Sequence, residues 1–163
     1  MPDPTDAQIR AALKSVITTA APLAVVFDWW VLGAEEDQWA GLLRSSLDAS
    51  GGRNRVHGYV ITRSGSDPNE SRAGRTRRDQ VRRSQQYAIL ALHYYDPASM
   101  TVANSDAAFN LEIDAISDAL DDLTTVSAHL AKAEPIQWAI NLKSYNGELV
   151  HIARGLISIP TCT

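Results

Sequence analysis

The chain has 163 residues, of which 45% are hydrophobic and 21% are charged. This length and composition are typical of one globular domain, so residues 1–163 are predicted to form a single domain. No apolar run approaches the ~18 residues that a membrane-spanning helix needs, and no cationic stretch followed by an apolar one opens the chain. Neither a membrane partner nor a signal peptide is therefore expected. The single cysteine, Cys162, excludes an internal disulfide and a paired-cysteine zinc site. A formal net charge of −4, taken alone, disfavours a nucleic-acid partner.

The charge is spread unevenly along the chain. Residues 63–83 hold seven arginines and three acidic residues, a local charge of +4 that leaves −8 for the remainder. Residues 106–134 hold seven acidic residues, opposed only by Lys132. Uneven charge of this kind indicates partners rather than fold, and it keeps DNA as a candidate partner of the basic segment.

The first predicted element is an amphipathic helix. Its apolar residues recur at helical spacing from Ile9 to Ala20, which gives one continuous apolar face. Asp3 is the predicted N-cap and Pro4 the first helical residue, where a missing N–H costs nothing. Pro22 ends the helix because proline disfavours helical geometry in the residue before it.

The middle of the chain contains three predicted strands and a long polar insert. The strands are residues 23–32, 55–62 and 87–95, chosen for their β-branched and aromatic content. Residues 35–47 are ambiguous between a short helix and a strand margin. The insert, residues 64–86, separates the second and third strands, and polar connections of that length are uncommon unless they are functional or disordered.

A second helix and a hairpin follow. The helix covers residues 105–123, with its first residue as N-cap, and residues 126–133 form a possible second helical piece. The hairpin joins strands 136–145 and 148–159 through Asn-Gly, the pair typical of a type I′ turn. The apolar stripe of the helix consists of Phe109, Ile113, Ile116, Leu120 and Leu123.

This order of elements predicts an α+β fold. An antiparallel or mixed sheet, with helices packed on one face and a long inter-strand insert, accounts for it better than a βαβ repeat. The sequence shows no internal repeat and no second domain.

Motifs of catalysis and cofactor binding are missing from the sequence. There is no glycine-rich phosphate loop and no His-Glu-x-x-His zinc pattern, so we expect no catalytic residues, no cofactor and no metal. Three of the four histidines fall on predicted strands, which keeps a shared site as an alternative to structural or surface roles. The four histidines are His57, His93, His129 and His151.

Two features predict contacts with another subunit. Trp29 and Trp30 are adjacent on a strand and so face opposite sides, and the tryptophan outside the core needs a helix or a second subunit to cover it. Asp114, Asp118 and Asp121 share one face of the second helix. That acidic face is either simply solvated or the complement of a basic surface on the next copy of the chain.

The arginines of the insert have three open interpretations: a solvated loop of no special role, contact with phosphate backbones, or pairing with an acidic protein surface. The insert lacks the interleaved aromatic residues that single-strand binding uses, so base recognition is not expected. The arginines concerned are Arg72, Arg75, Arg77, Arg78, Arg82 and Arg83.

Across nearly the whole chain, the order and size of the elements resemble the tail-terminator (tail-completion) proteins of long-tailed bacteriophages. The shared pattern begins with the amphipathic helix Asp6–Ala20 and the strand 22–32, and continues with the strands on either side of the insert and the helix 109–120. It ends with a hairpin carrying Gly-Glu-Leu-Val-His-Ile-Ala-Arg-Gly-Leu-Ile-Ser-Ile at 147–159. The arginine-rich insert departs from a compact version of this pattern.

The resemblance implies a mixed α+β fold and an assembly role without catalysis. Proteins of that family form hexameric rings at the head-proximal end of the tail tube, stop tube polymerisation and offer a surface for head joining. The expected partners are therefore other copies of this chain, the tail tube protein, a neck or head-completion protein, and genome DNA in the lumen. The expected location is the virion tail, after assembly in the host cytoplasm. Alternatives are a neck connector, a DNA-binding accessory protein and a small enzyme.

Overall fold

The computed structural model describes eight stretches of the chain, and all structural statements below concern them. They are residues 4–29, 56–71, 82–94, 101–123, 125–126, 129–130, 134–145 and 148–162. The elements in chain order are α1 (Asp6–Ala20), β1 (Val25–Phe27), β2 (His57–Ser71), β3 (Arg82–Tyr94), α2 (Val102–Asp121), β4 (Thr125–Val126), β5 (His129–Leu130), β6 (Gln137–Tyr145) and β7 (Glu148–Cys162).

The predicted α+β fold with a mixed sheet is confirmed. Five strands form one sheet in the order β1-β2-β3-β7-β6, while β4 and β5 pair with each other. The pairs β2–β3, β3–β7 and β6–β7 are antiparallel, and the pair β1–β2 is parallel. A parallel pair needs a long crossover, and residues 28–56 between β1 and β2 exceed the dozen or so that one requires.

The core lies between the two helices and one face of the sheet. The helix α1 buries Ile9, Leu13 and Ile17 in it, and the predicted apolar stripe of α2 is buried from Phe109 to Leu120. Helix packing on one face of the sheet is thus confirmed. The residues that the sheet contributes to this cluster alternate along each strand, as strand geometry requires, and include Tyr59, Ile61, Tyr87, Ile89, Ala91, Ala153, Ile157 and Ile159.

Both predicted helix caps are wrong, by two residues for α1 and by four for α2. The N-cap of α1 is Thr5, whose hydroxyl accepts the Gln8 N–H while the Gln8 side chain accepts the Thr5 N–H. This reciprocal capping box satisfies two backbone donors, more than a lone Asp3 cap would. The N-cap of α2 is Thr101 rather than Ser105, which lies one turn inside the helix and is buried.

The strands on either side of the insert are longer than predicted. The strands β2 and β3 pair antiparallel as far as Ser71 with Arg82, with register shifts on the way, so much of the segment 64–86 is strand. Residues 72–81 lie outside the described part of the chain, as do 35–47. The predicted strand 23–32 is shorter in the structure, where β1 has only three residues.

Near the second helix, one prediction is wrong and one is confirmed. Within residues 126–133 the described positions are strand rather than helix, because β4 and β5 form a small antiparallel pair. The closing hairpin is confirmed by the pairing of Tyr145 with Glu148 at its end. Its Asn-Gly turn lies outside the described residues.

Candidate functional site: a row of three histidines

Three histidines lie side by side across three adjacent strands. In the register of the sheet His57 of β2 is opposite His93 of β3, and His93 is opposite His151 of β7. Each lies two positions along its strand from a residue of the helix-facing core, namely Tyr59, Ala91 or Ala153, so all three lie on the face that α2 covers. We call these three residues the histidine row.

At one end of the row, His57 and Tyr59 share one carboxylate. The His57 Nε2 lies 2.9 and 3.0 Å from the two carboxylate oxygens of Glu112, a residue of α2. The Tyr59 hydroxyl donates a hydrogen bond to Oε1 of the same carboxylate. Because a carboxylate only accepts, Nε2 of His57 carries the proton in this arrangement. The network joins α2 to two positions of β2.

The surroundings of this carboxylate favour its ionised form. Burial acts to raise the pKa of Glu112, but the hydrogen bond and charge of His57 and the hydrogen bond from Tyr59 outweigh it and hold the pKa below its usual range. Burial, together with the adjacent Glu112 charge, raises the pKa of Tyr59 far above that of a free phenol, so the hydroxyl stays protonated and remains a donor.

The middle histidine is packed between rings. His93 meets His57 edge-on, with ring centroids 4.6 Å apart, and stacks on Phe109 at 5.8 Å. Its Nδ1 is buried and has no hydrogen-bond partner among the described residues. Burial, with the neighbouring His57, lowers the pKa of His93 to about 4, so this imidazole is neutral near pH 7.

The third histidine forms a separate polar contact. His151 also stacks on Phe109, with ring centroids 5.3 Å apart, and its Nε2 lies 2.9 Å from Oγ of Ser105. Its Nδ1 lies 3.9 Å from Oδ1 of Asp106, beyond hydrogen-bonding distance. Burial lowers the pKa of His151, although Asp106 acts in the opposite direction.

The Ser105–His151–Asp106 order has the residue types of a nucleophilic triad but not its accessibility. Ser105 is 0% exposed and His151 is 2% exposed, so the hydroxyl has no open side on which a substrate could lie. The contact instead satisfies two buried polar groups and attaches the first turns of α2 to β7. A hydrolytic reading of these residues is therefore not supported by the geometry.

The His57 end of the row has the residue types of a metal site. One ring nitrogen each of His57 and His93 and one oxygen of Glu112 all lie within 4.8 Å of one another. Two imidazoles and a carboxylate are ligands that zinc and similar cations use. The sequence predicts no metal, and a shared histidine site is only an alternative to structural or surface roles.

The predicted interface residues lie elsewhere. Asp114, Asp118 and Asp121 are exposed, on the side of α2 opposite its buried stripe, and so do not join the histidine row. Trp29 follows β1, is 51% exposed and meets Phe27 edge-on at 5.5 Å.

Two of the predicted arginines fall in a described strand. Arg82 and Arg83 open β3, where they pair with Cys162 and Thr161 of β7. The remaining predicted contact residues, Trp30, Arg72, Arg75, Arg77 and Arg78, lie outside the described part of the chain.

The sequence carried a partial signal for the histidine row. His57, His93 and His151 each lie in an apolar, β-branched stretch, which places them on strands. The sequence does not show that β7 lies beside β3, or that the strand registers place the three histidines opposite one another. Nothing in the sequence distinguished Glu112 as a site residue, because its neighbours on the helix are also acidic.

A scan of family models gives no match to this chain, and a search of curated proteins gives none either. In the part of the chain that the structure describes, no helix is long and apolar enough to cross a membrane.

Proposed function

We propose that this protein is a structural subunit of a long-tailed phage virion, one that forms a ring at the head-proximal end of the tail tube. In that position it ends tube polymerisation and offers the surface to which the head is joined. The role of the protein is in assembly and involves no catalysis. The tail assignment rests on the resemblance in element order, and the fold supports it with one mixed sheet covered by helices on one face.

The observation that carries the oligomeric part of the proposal is the exposed apolar edge of the sheet. The edge strand β6 pairs with β7 on one side, and no described strand pairs with its other side. Its residues Ile140 and Leu142 are 43% and 44% exposed, and Leu149 of the neighbouring strand is also exposed. A long apolar edge invites pairing with another chain, and a ring that closes leaves no such edge free.

Charge supplies unlike surfaces for a heterologous contact. The segment between β2 and β3 is rich in arginine, whereas the outer side of α2 carries exposed aspartates. Rings close by contacts of this kind, in which one patch of a subunit meets a different patch of the next. If the arginine segment lines the lumen instead, it faces DNA. Its contacts with the phosphate backbone would then have to stay weak so that the DNA can move.

Electron microscopy of the protein mixed with tail tubes tests the proposal. We expect a cap at one end of each tube for the wild-type chain. Ile140→Lys should remain folded but lose the cap, because it places a charge in the apolar edge, whereas Thr18→Lys on the exposed side of α1 is the matched control and should cap normally. Tubes that stay uncapped with folded wild-type protein would refute the tail-terminator assignment. Binding to the portal instead of the tube would identify a neck connector.

A further inference from the structure

Three elements each bring one metal-binding side chain to the same point. His57 comes from β2, His93 from β3 and Glu112 from α2, and their donor atoms lie within 4.8 Å of one another. In a tetrahedral site with bonds of about 2.0–2.2 Å, donor atoms lie roughly 3.4 Å apart. Side-chain rotations that move each donor by about 1 Å therefore bring these three into coordination range while the strands and helix stay in place.

One polar atom of these three residues has no hydrogen-bond partner among the described residues. The His93 Nδ1 is buried and finds no partner among the described residues, which is a costly condition for a ring nitrogen. The His57 Nε2 and both oxygens of Glu112 converge on one proton. A cation in that position replaces the shared proton and engages imidazole nitrogens and carboxylate oxygens together.

We propose that His57, His93 and Glu112 bind one Zn²⁺ ion, or a similar divalent cation that favours imidazole, with solvent completing the coordination. Tyr59 is the positioning residue, since its hydroxyl donates to Glu112 Oε1 and orients the carboxylate. Because the ligands come from two strands and a helix, the ion fastens α2 to the sheet and stabilises the fold. Metal binding is independent of ring formation, so either proposal can fail alone.

Titration of the full-length, tag-free chain with Zn²⁺ after chelator treatment is the direct test. We expect one ion bound per chain, and a melting temperature raised by roughly 5–10 °C at a free ion concentration ~100 times Kd. Co²⁺ should give visible absorption bands of a site with nitrogen and oxygen ligands. The absence of saturable Zn²⁺ binding up to about 100 times the protein concentration would overturn the proposal.

Two variants and a control assign the ligands. Glu112→Gln keeps the side-chain shape and an acceptor for Tyr59 but removes the anionic ligand, and His93→Gln removes a ring nitrogen; each should weaken Zn²⁺ binding by at least roughly 100-fold. Asp114→Asn, which removes an exposed charge two residues from Glu112, should bind as the wild type does. Wild-type affinity in either folded ligand variant would refute the site. If both variants fail to fold, the wild-type Co²⁺ spectrum decides, because featureless absorption excludes the proposed ligands.

Discussion

Replacement of Gly155 by alanine tests how closely β7 packs against its neighbours. A Cβ at this position would lie 2.5 Å from Cδ1 of Ile136 and 2.8 Å from two ring carbons of Trp138. Carbon atoms in contact are normally about 3.5–4.0 Å apart, so both side chains must retreat by roughly 1 Å. Trp138 cannot retreat freely, because its Nε1 donates a hydrogen bond to Oγ of Ser117 on α2, 2.9 Å away.

The expected loss of stability follows from these contacts. Overpacking of this kind costs about 1–3 kcal/mol, and weakening the Trp138–Ser117 hydrogen bond costs ~1 kcal/mol more. Removing a glycine from a strand returns roughly 0.5–1 kcal/mol. Gly155→Ala should therefore lower the free energy of unfolding by about 2 kcal/mol and the melting temperature by roughly 4–8 °C.

Urea unfolding followed by circular dichroism measures this change, and Gly65→Ala is the matched control. Gly65 is also in a strand, but the nearest atom to its added Cβ is Oε1 of Gln86 at 3.9 Å, an ordinary contact. The control should be as stable as the wild type or slightly more so. If Gly155→Ala were equally stable, the close packing of β7 against Ile136 and Trp138 would be refuted.

Three further predictions concern the core, pH and charge. Ile116→Asp, a charge at a fully buried position of α2, should abolish cooperative folding, and a soluble variant with a cooperative thermal transition would show that the apolar stripe is misassigned. The pKa values of His93 and His151 are both lowered, so the unfolded chain binds more protons than the folded one, and stability should fall as pH drops from ~6.5 towards the His93 pKa of about 4. His151→Gln should make that fall less steep in urea melts, without abolishing it. Changing the arginines of segment 77–83 to serine should preserve the fold but impair assembly or DNA passage. Normal tail length and infectivity in phage that carry this variant would instead favour the interpretation of the insert as a solvated loop of no special role. Steep salt dependence of binding to DNA would assign these arginines to phosphates, and its absence would favour a protein partner.

Periodicity predicted the helices well because the helical spacing of apolar residues is a local property of the sequence. The stripe from Phe109 to Leu120 recurs at helical spacing, and the structure buries each of its members. The caps were harder, because Asp3 and Ser105 are good capping residues by type, and only the backbone geometry selects Thr5 and Thr101. The prediction of a helix at 126–133 was wrong because the pattern of a short apolar segment does not distinguish helix from strand.

The candidate site was less predictable than the fold because it depends on strand neighbours. His57, His93 and His151 were assigned to strands, yet their pairing across the sheet is a long-range property. Glu112 illustrates the same limit on a helix: it and Asp114 are both acidic, but only Glu112 faces the sheet. Helical spacing places the two residues on different sides without showing which partner either one meets.

The position of β7 also constrains how the chain can fold. This strand lies between β3 and β6, and its partners in β3 are 56 to 80 positions earlier in the sequence. During synthesis, β2 and β3 therefore emerge with one edge of β3 unpaired until most of the described chain has been made. Such distant pairing slows folding and exposes a strand edge to other chains meanwhile. A protein that is itself proposed to build rings must complete its own sheet before its copies meet.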